Sequence, residues 1–240
     1  MQGLGGSALR NLRTRGFHCQ QGVEHRDCLP IANSLGVPVG DARNPEPLRL
    51  ISPQPTTKAK LNTLSSRYGM EAFPFHTDAA YWAAPPRFIL FHCVSPGAGS
   101  RPTLLIDPRE WSLSERERRM LCNEVWKITT NRPFLCTAGT QGEHGLCLRF
   151  DEACMAPVTA GARSIRDVVQ DSIDRSEVVA INWREGDLLV IDNLRLLHAR
   201  GKAAQADEDR ILARILIRGV VRHGDVGRGR SVAQGEDVHR

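Results

Sequence analysis

No apolar run in this sequence is long enough to cross a lipid bilayer. The longest apolar stretches, residues 88–91 and 188–191, have the length of strands, whereas a membrane-spanning helix needs about 20 apolar residues. Residues 1–15 contain glycine and arginine but lack the apolar segment of a secretory signal. We therefore expect a cytoplasmic protein with no membrane partner.

Cysteine pairs and aromatic residues are also scarce. The seven cysteines are odd in number and include no Cys-x-x-Cys pair, so the sequence predicts neither a complete disulfide set nor a zinc ribbon. Aromatic residues make up 5% of the chain, and its arginines, with a net charge of +5, are spread along it. Nucleic-acid-binding surfaces concentrate basic residues among aromatic ones. We therefore expect no nucleic-acid partner, and the mild positive charge suits a small anionic substrate.

The length and composition are those of one globular domain. The chain has 240 residues, of which 41% are hydrophobic and 25% charged, close to the averages of soluble domains. Many short apolar runs and few helical patterns favour a mostly β sandwich or barrel with flanking helices. Residues 223–240 are rich in Gly, Arg and Asp and lack periodicity. We therefore predict a single domain over residues 1–222 and a flexible C-terminal tail over residues 223–240.

Periodicity and turn residues predict the main elements. A helix is predicted over residues 113–126, with Ser112 as its N-cap and Glu115 as the acid of a capping box. Residues 131–145 are predicted as a long connection, and such connections often line binding sites on a β scaffold. The clearest strands are predicted at residues 87–94, 103–107, 187–192 and 210–218.

One short segment carries the residue types best suited to metal chemistry. It reads Phe-Pro-Phe-His-Thr-Asp over residues 73–78, and alternate residues of an extended segment point to the same side. His76 and Asp78 would therefore present an imidazole nitrogen and a carboxylate oxygen to one space. His198, just after a strongly apolar strand, is the candidate third ligand. Two histidines and one carboxylate are typical of non-haem Fe(II) oxygenases, because this set leaves metal positions open.

Three further residues extend the pattern. Arg210 follows His198 by twelve residues, and its planar, always charged guanidinium suits a carboxylate. Thr103 follows Asp78 by twenty-five residues and would add a hydroxyl hydrogen bond to the same carboxylate. Arg214 lies four residues after Arg210, so both arginines share one face of a strand. Whether Arg214 binds the cosubstrate or the substrate stays open.

With these residues in place, the sequence resembles the taurine dioxygenase (TauD/TfdA) and clavaminate synthase-like family of Fe(II)/2-oxoglutarate-dependent dioxygenases. The resemblance spans about residues 17–218 and implies a double-stranded β-helix, a relative of the cupin and jelly-roll barrels. It implies that His76, Asp78 and His198 hold Fe(II) and form the catalytic centre. It also implies that Arg210 and Thr103 bind the distal carboxylate of 2-oxoglutarate.

The resemblance implies an activity as well. Such an enzyme oxidises, most simply by hydroxylation, an unactivated C–H bond of a small amino-acid-like or anionic metabolite, while O2 and 2-oxoglutarate give succinate and CO2. The carboxylate at position 78 favours oxygenation, because halogenating relatives lack it. The alternatives are desaturation or cyclisation in natural-product (secondary) metabolism, a non-catalytic metal-binding barrel, and an enzyme acting on protein or nucleic acid. A homodimer is compatible with the sequence, which does not determine the oligomeric state.

The remaining histidines and the cysteines have a plainer interpretation. The cysteines are expected to be reduced packing residues. The chain is also short for this family, so the sequence predicts no segment that covers a substrate. The histidines interpreted as surface or core residues are His18, His25, His92 and His144.

Overall fold

The computed structural model describes residues 4–40, 44–59, 63–142, 145–205 and 207–219. These residues form short antiparallel strands with helices at the flanks, which confirms the predicted mostly β fold class. The predicted tail, residues 223–240, lies outside the described residues. No helix among them is long and apolar enough to cross a membrane.

The bounds of the elements are as follows. The helices are α1 Gly6–Arg15, α2 Cys28–Leu35, α3 Leu64–Tyr68, α4 Glu115–Asn123 and α5 Ala160–Asp174, with 3-10 turns at His25–Asp27 and Pro108–Glu110. The strands are β1 Phe17–Gln20, β2 Gly36–Val39, β3 Leu48–Ile51, β4 Phe88–Ser95, β5 Thr103–Ile106, β6 Trp126–Ile128, β7 Phe134–Cys136, β8 Gly139–Gly142, β9 Gly145–Leu148, β10 Met155–Pro157, β11 Val179–Ile181, β12 Leu188–Asp192, β13 Leu197–Arg200 and β14 Ile211–Gly219.

The large sheet has the strand order β1-β12-β4-β14-β2, and β3 also pairs with β14. All of its pairings are antiparallel. Strand β14 spans nine residues, so its first part pairs with β3 and its second part with β2. Every residue of β12 is buried, because helices cover one face of the sheet and a second sheet covers the other. This two-sided burial explains the continuous apolar run that predicted the strand.

A smaller sheet, β11-β5-β13, faces the large one. The core between them includes Phe91 and Leu189 of the large sheet and Leu105 of the small sheet. On the outer face of the large sheet, α1 and α2 pack through a separate cluster that includes Leu12 and Leu90. Strand β4 therefore contributes alternate side chains to two cores, as the period of a strand requires.

Two sequence predictions outside the proposed site were wrong: the N-cap of α4 and the long connection over residues 131–145. Helix α4 is capped by Ser114, whose hydroxyl accepts from the Glu117 backbone N–H at 3.3 Å while the Glu117 carboxylate accepts from the Ser114 N–H at 2.7 Å. The sequence contains Ser-x-x-Glu at both 112 and 114, and the second is the one that makes both hydrogen bonds of the capping box. The predicted connection 131–145 instead contains β7 and β8.

Candidate active site

His76 and His198, far apart in the chain, lie side by side in the fold. Each donates its backbone N–H to the carbonyl of the other, over 3.0 and 3.1 Å, in an antiparallel bridge. Their ring centroids are 4.4 Å apart, and both residues are buried. The sequence placed His198 just after a strand, whereas the structure places it inside β13, a strand that was not predicted. The backbone therefore sets the spacing of the two imidazoles.

Both imidazoles are suited to donate a lone pair. The His76 Nδ1 lies 3.0 Å from the Pro74 carbonyl oxygen, so a proton on Nδ1 donates there and leaves the Nε2 lone pair free. Burial, together with the neighbouring His76, lowers the pKa of His198 to about 3. His198 is therefore neutral at physiological pH. Its Nδ1 is buried without a hydrogen-bond partner among the described residues.

Asp78 is two residues from His76, at the start of a turn rather than in an extended stretch, and Arg214 binds its carboxylate. The Arg214 Nη1 donates to Asp78 Oδ2 over 2.8 Å, and both side chains are largely buried. Burial alone would raise the pKa of Asp78, but Arg214 and the two histidines outweigh it and hold that pKa below its ordinary value. In this arrangement the donor atoms of His76, Asp78 and His198 do not all lie within 4.8 Å of one another.

Two buried polar residues hold the backbone of this segment. Asn193 accepts from the Asp78 N–H at 2.8 Å and donates its amide to the carbonyls of Asp78 and Pro86 at 3.0 and 2.9 Å. The Thr77 hydroxyl donates to Leu148 O over 3.1 Å. Both side chains are fully buried. The sequence analysis did not single out either residue, because a side chain bonded to a distant backbone leaves no local pattern.

Arg210, the residue immediately before β14, is a buried cation. Only 4% of the residue is exposed, and its Nε has no hydrogen-bond partner among the described residues. Burial lowers the pKa of Arg210 to about 10, so the guanidinium stays charged at neutral pH. A charged donor left without an acceptor in the protein interior is costly, and an anionic ligand would relieve that cost.

The nearby acids already have other partners. Asp207 accepts from Arg101 Nε at 2.8 Å in an ion pair that is almost fully buried, and also from the Gly99 N–H at 3.2 Å. Asp209 accepts from the Ala98 N–H at 3.3 Å. Arg210 therefore makes no surface ion pair with Asp207, since Arg210 is buried and Asp207 is bonded to Arg101.

Thr103 begins β5 and is also buried. Its hydroxyl accepts a hydrogen bond from the Trp183 indole N–H at 3.1 Å. A hydroxyl that accepts one bond keeps its own proton to donate. Trp183 thus orients Thr103 as a donor, a role that the sequence did not predict.

A surface cleft of about 450 Å³ lies against the other face of the small sheet. Its walls include Leu104, Phe150 and Ala199, and none of the predicted site residues. Adjacent residues of a strand point to opposite faces, so Leu104 and Ala199 face away from the side that carries His198. The cleft is therefore not the space that the two imidazoles enter.

Comparison with known proteins supplies a family context for this geometry. Residues 122–216 match the family described as "Taurine catabolism dioxygenase TauD, TfdA family". A curated protein of Fischerella ambigua (strain UTEX 1903), 3-((Z)-2-isocyanoethenyl)-1H-indole synthase, is 27% identical over 154 residues. That alignment covers 53% of this chain and 56% of the synthase, so the chain matches little more than half the length of this relative.

Solved structures share the fold over most of the chain. An asparagine oxygenase in complex with Fe(II), 2S,3S-3-hydroxyasparagine and succinate superposes with a TM-score of 0.72 at 17% identity, covering 88% of this chain and 77% of that one. The non-heme iron oxygenase OrfP in complex with Fe and alpha-ketoglutaric acid gives a TM-score of 0.70 at 18% identity, covering 88% and 78%. These likenesses show the jelly-roll fold, and the family match covers the C-terminal part of the resemblance, which includes His198 and Arg210 but not His76 or Asp78.

Proposed function

We propose, from the premise that this chain is related to the TauD/TfdA dioxygenases, that it is an Fe(II)/2-oxoglutarate-dependent dioxygenase. Its reaction would be hydroxylation of an unactivated C–H bond in a small amino-acid-like metabolite. The observation that carries the proposal is the backbone bridge between His76 and His198, with Asp78 two residues along the same segment. This bridge brings the imidazoles of His76 and His198 and the carboxylate of Asp78 into a single region of the core.

His76, Asp78 and His198 would hold the metal. Two nitrogen donors and one oxygen donor suit Fe(II) and leave coordination positions for other ligands. When bound, Fe(II) and 2-oxoglutarate supply the oxidation of the substrate by O2, with succinate and CO2 as coproducts. The Pro74 carbonyl orients the His76 ring, and Asn193 fixes the backbone of Asp78. These contacts orient the His76 ring and the Asp78 backbone, and convergence of the three donor atoms would accompany metal binding.

Arg210 and Thr103 would bind the distal carboxylate of 2-oxoglutarate. The support is the buried Arg210 guanidinium with its unpartnered Nε, and the Thr103 hydroxyl that Trp183 leaves free to donate. Charge-assisted hydrogen bonds from arginine to a carboxylate are short and strong. An incoming carboxylate would therefore satisfy a donor that the protein alone leaves unpaired.

Arg214 would also offer a hydrogen-bond donor to a carboxylate in the proposed site. Its Nη1 keeps Asp78 ionised, and its Nε is buried without a partner among the described residues. That second donor is available to a carboxylate of the cosubstrate or of the substrate. A cation beside the metal ligands supports an anionic, amino-acid-like substrate.

The substrate class has support from the structural neighbours. One is an asparagine oxygenase bound to 3-hydroxyasparagine, and OrfP has been solved with (3S)-hydroxy-L-Arg. Both ligands are hydroxylated amino acids. The substrate of the present chain is proposed to be a free amino acid or a close derivative, with its carboxylate near Arg214.

A second candidate reaction is the formation of a carbon–carbon double bond. It is favoured by the curated relative from Fischerella ambigua, whose name describes the synthesis of an ethenyl indole. A role in natural-product metabolism would follow from that reaction. The two candidates differ by product mass, because hydroxylation adds one oxygen atom whereas desaturation removes two hydrogen atoms.

Anaerobic titration of the full chain with Fe(II) and 2-oxoglutarate tests the proposal. We expect a visible metal-to-ligand charge-transfer band, followed on admission of O2 by succinate formation that an amino-acid panel stimulates. Product mass then assigns hydroxylation or desaturation. Absence of both the band and succinate would overturn the proposal. Metal binding with no succinate formed from any substrate would instead favour the alternative of a non-catalytic metal-binding barrel.

We also propose a cytoplasmic location and a homodimer. All seven cysteines are free thiols, as expected in a reducing compartment. Val37 of β2 and Leu50 of β3 are exposed large hydrophobic residues on strands that pair with β14, and exposed apolar residues favour association. Light scattering of the purified chain separates monomer from dimer.

A further inference from the structure

A second group of metal-ligating side chains lies away from the proposed iron site. It consists of His25 in the 3-10 turn, Cys28 at the start of α2, and His92 in β4. One ligand atom from each residue lies within 4.8 Å of the corresponding atoms of the other two. No other group of His, Cys, Asp or Glu in the described part of the chain meets this spacing.

The group lies on the outer face of the large sheet. Ile89, Phe91 and Cys93 of β4 contribute to the core between the two sheets. Leu90 contributes to the cluster beneath α1 and α2, and His92 shares its face because alternate residues of a strand point the same way. The sheet itself therefore separates this group from the proposed iron ligands.

His92 has an unused lone pair in this cluster. Only 3% of the residue is exposed, and its Nε2 lies 2.8 Å from the Val23 carbonyl oxygen. A proton on Nε2 donates to that carbonyl and leaves Nδ1 as a bare acceptor. Nδ1 is buried without a partner among the described residues. Orientation of one ring nitrogen by a backbone carbonyl while the other stays free is the usual state of a metal-binding histidine.

Cys28 and His25 complete the group from one continuous helical segment. They are three residues apart, which places them on the same face of a helical turn. Cys28 is fully buried, and its thiol makes a long contact of 4.0 Å to Glu24 O. His25 is exposed, and its ring centroid is 5.5 Å from that of His92. The group is thus buried on two sides and open to solvent on the third.

We propose that His25, Cys28 and His92 bind one Zn²⁺ ion, with water as the fourth ligand. Zinc accepts histidine nitrogen and cysteine sulfur in tetrahedral sites. A soft thiolate distinguishes this site from the nitrogen and oxygen donors of the iron site. The ion would join the start of α2 to β4 and so clamp the N-terminal helices onto the large sheet.

Binding of the ion has a simple proton balance. Burial raises the pKa of the Cys28 thiol to about 11, so the metal-free side chain carries its proton at neutral pH. Zinc replaces that proton, which leaves to solvent on the open His25 side, and the Zn–S bond forms with the sulfur lone pair. The His92 proton stays on Nε2, and no oxidation occurs.

Titration of the full chain with Co²⁺, a spectroscopic substitute for Zn²⁺, tests this site. We expect a near-ultraviolet thiolate-to-cobalt charge-transfer band that stoichiometric Zn²⁺ removes. Cys28→Ser should abolish the band, and the matched variant Cys19→Ser, which changes an exposed cysteine on β1, should retain it. His25→Ala, a change at an exposed residue, should weaken cobalt binding roughly tenfold or more, since even outer-shell contacts of metal sites are worth that much.

A further variant separates this site from the iron site. His76→Ala should keep the thiolate band in full, because the proposed iron ligands include no cysteine. Absence of the band in the wild-type chain, or its persistence in Cys28→Ser, would overturn the zinc site. Either result leaves the dioxygenase proposal untouched, since that proposal is read from succinate.

Discussion

Two groups of possible metal ligands lie on opposite sides of the large sheet, and they differ in their donor atoms. On one side of the large sheet, His76, Asp78 and His198 combine nitrogen with a hard oxygen donor, and Arg214 is paired with Asp78. On the other side, His25, Cys28 and His92 combine nitrogen with sulfur, and one histidine is open to solvent. Donor type and surrounding charge therefore differ across a single sheet.

The contrast shows how placement separates a reactive site from a structural one. Arg210, which is buried, and Arg214, which is partly buried, each have a buried Nε without a partner among the described residues, so the proposed inner site suits anionic ligands as well as a metal. The outer group has no such buried cation among its members and joins two elements of the fold. The first arrangement favours exchange of small molecules, and the second favours a permanently held ion.

The largest expected effect comes from His198→Ala. Removing a proposed iron ligand should lower succinate formation by more than about 100-fold, because even outer-shell changes at metal sites cost about 10–100-fold. The Co²⁺–thiolate band of the outer group should remain. Succinate assays and cobalt spectra on one protein preparation check both statements.

His18→Ala, at a partly buried histidine of β1, serves as the matched control and should keep its succinate yield. Equal losses of succinate in the two variants would mean that histidine removal damages the fold rather than the inner site.

The next effect concerns the support of the inner site. Asn193→Ala leaves the Asp78 N–H and the Asp78 and Pro86 carbonyls without their partner, at a cost of about 1–3 kcal/mol for each group left unsatisfied in the interior. We expect the free energy of unfolding to fall by roughly 2–4 kcal/mol after partial relaxation, and Fe(II) affinity to fall with it. Urea titration and iron binding measure the two quantities.

Asn123→Ala removes an amide from the exposed end of α4 and is the matched control, expected to leave iron affinity unchanged. Loss of stability with full iron affinity in Asn193→Ala would show that Asn193 supports the fold but does not position Asp78.

Arg210→Met should act on the cosubstrate. The lost charge-assisted hydrogen bonds are worth about 1.5–3 kcal/mol, so we expect KM for 2-oxoglutarate to rise about 10–100-fold. The 2-oxoglutarate-free protein should lose no stability, because the variant removes an incompletely paired buried cation. Steady-state kinetics and thermal melts report the two effects.

Arg218→Met, on the exposed part of the same strand, is the control for net charge and should keep KM. An unchanged KM with a lowered melting temperature in Arg210→Met would assign Arg210 to the fold instead of the cosubstrate.

The smallest effect is a pH dependence at Asp192, which ends β12 between the two regions. Burial raises the pKa of Asp192 despite its ion pair with Arg87 at 2.7 Å. Because the folded state then holds the proton more tightly than the unfolded state, stability falls as pH rises from the unfolded pKa of about 4 through the folded pKa. The Asp192→Asn variant should lack this slope.

Urea titrations of the wild type and Asp192→Asn are made from about pH 3.5 to about pH 7, a range that starts near the reference pKa of aspartate. They give the difference between the two unfolding free energies at each pH. A wild type that gains stability relative to Asp192→Asn across this range would reverse the sign and contradict the assignment.

Much of the inner site was accessible from the sequence because it depends on spacing. His76 and Asp78 are two residues apart, although the structure places Asp78 at the start of a turn, and Arg210 and Arg214 lie at an even interval around the start of β14. The strand β13 was missed because Leu197–Arg200 is only four residues long and directly follows the turn after β12. A strand this short gains its stability from pairing with β5, which local periodicity does not report.

The remaining residues were inaccessible for the same physical reason. Asn193, Trp183 and the Arg101–Asp207 pair act through contacts with distant parts of the chain. His25 and His92 were interpreted as surface or core residues, because their proximity exists only once α2 packs on β4. His144, interpreted in the same way, lies outside the described residues. Side-chain type alone does not distinguish a packed histidine from one with a free ligand atom.

The bridge between His76 and His198 ties metal retention to local unfolding. Separating these residues breaks two backbone hydrogen bonds, so a bound ion would leave when the 73–78 segment detaches from β13. A metal that binds only the closed bridge would lower the equilibrium constant for local opening. Amide hydrogen exchange at positions 76 and 198 would then slow by the same factor. Dissociation of the ion and fraying of a β-sheet edge would be one kinetic event.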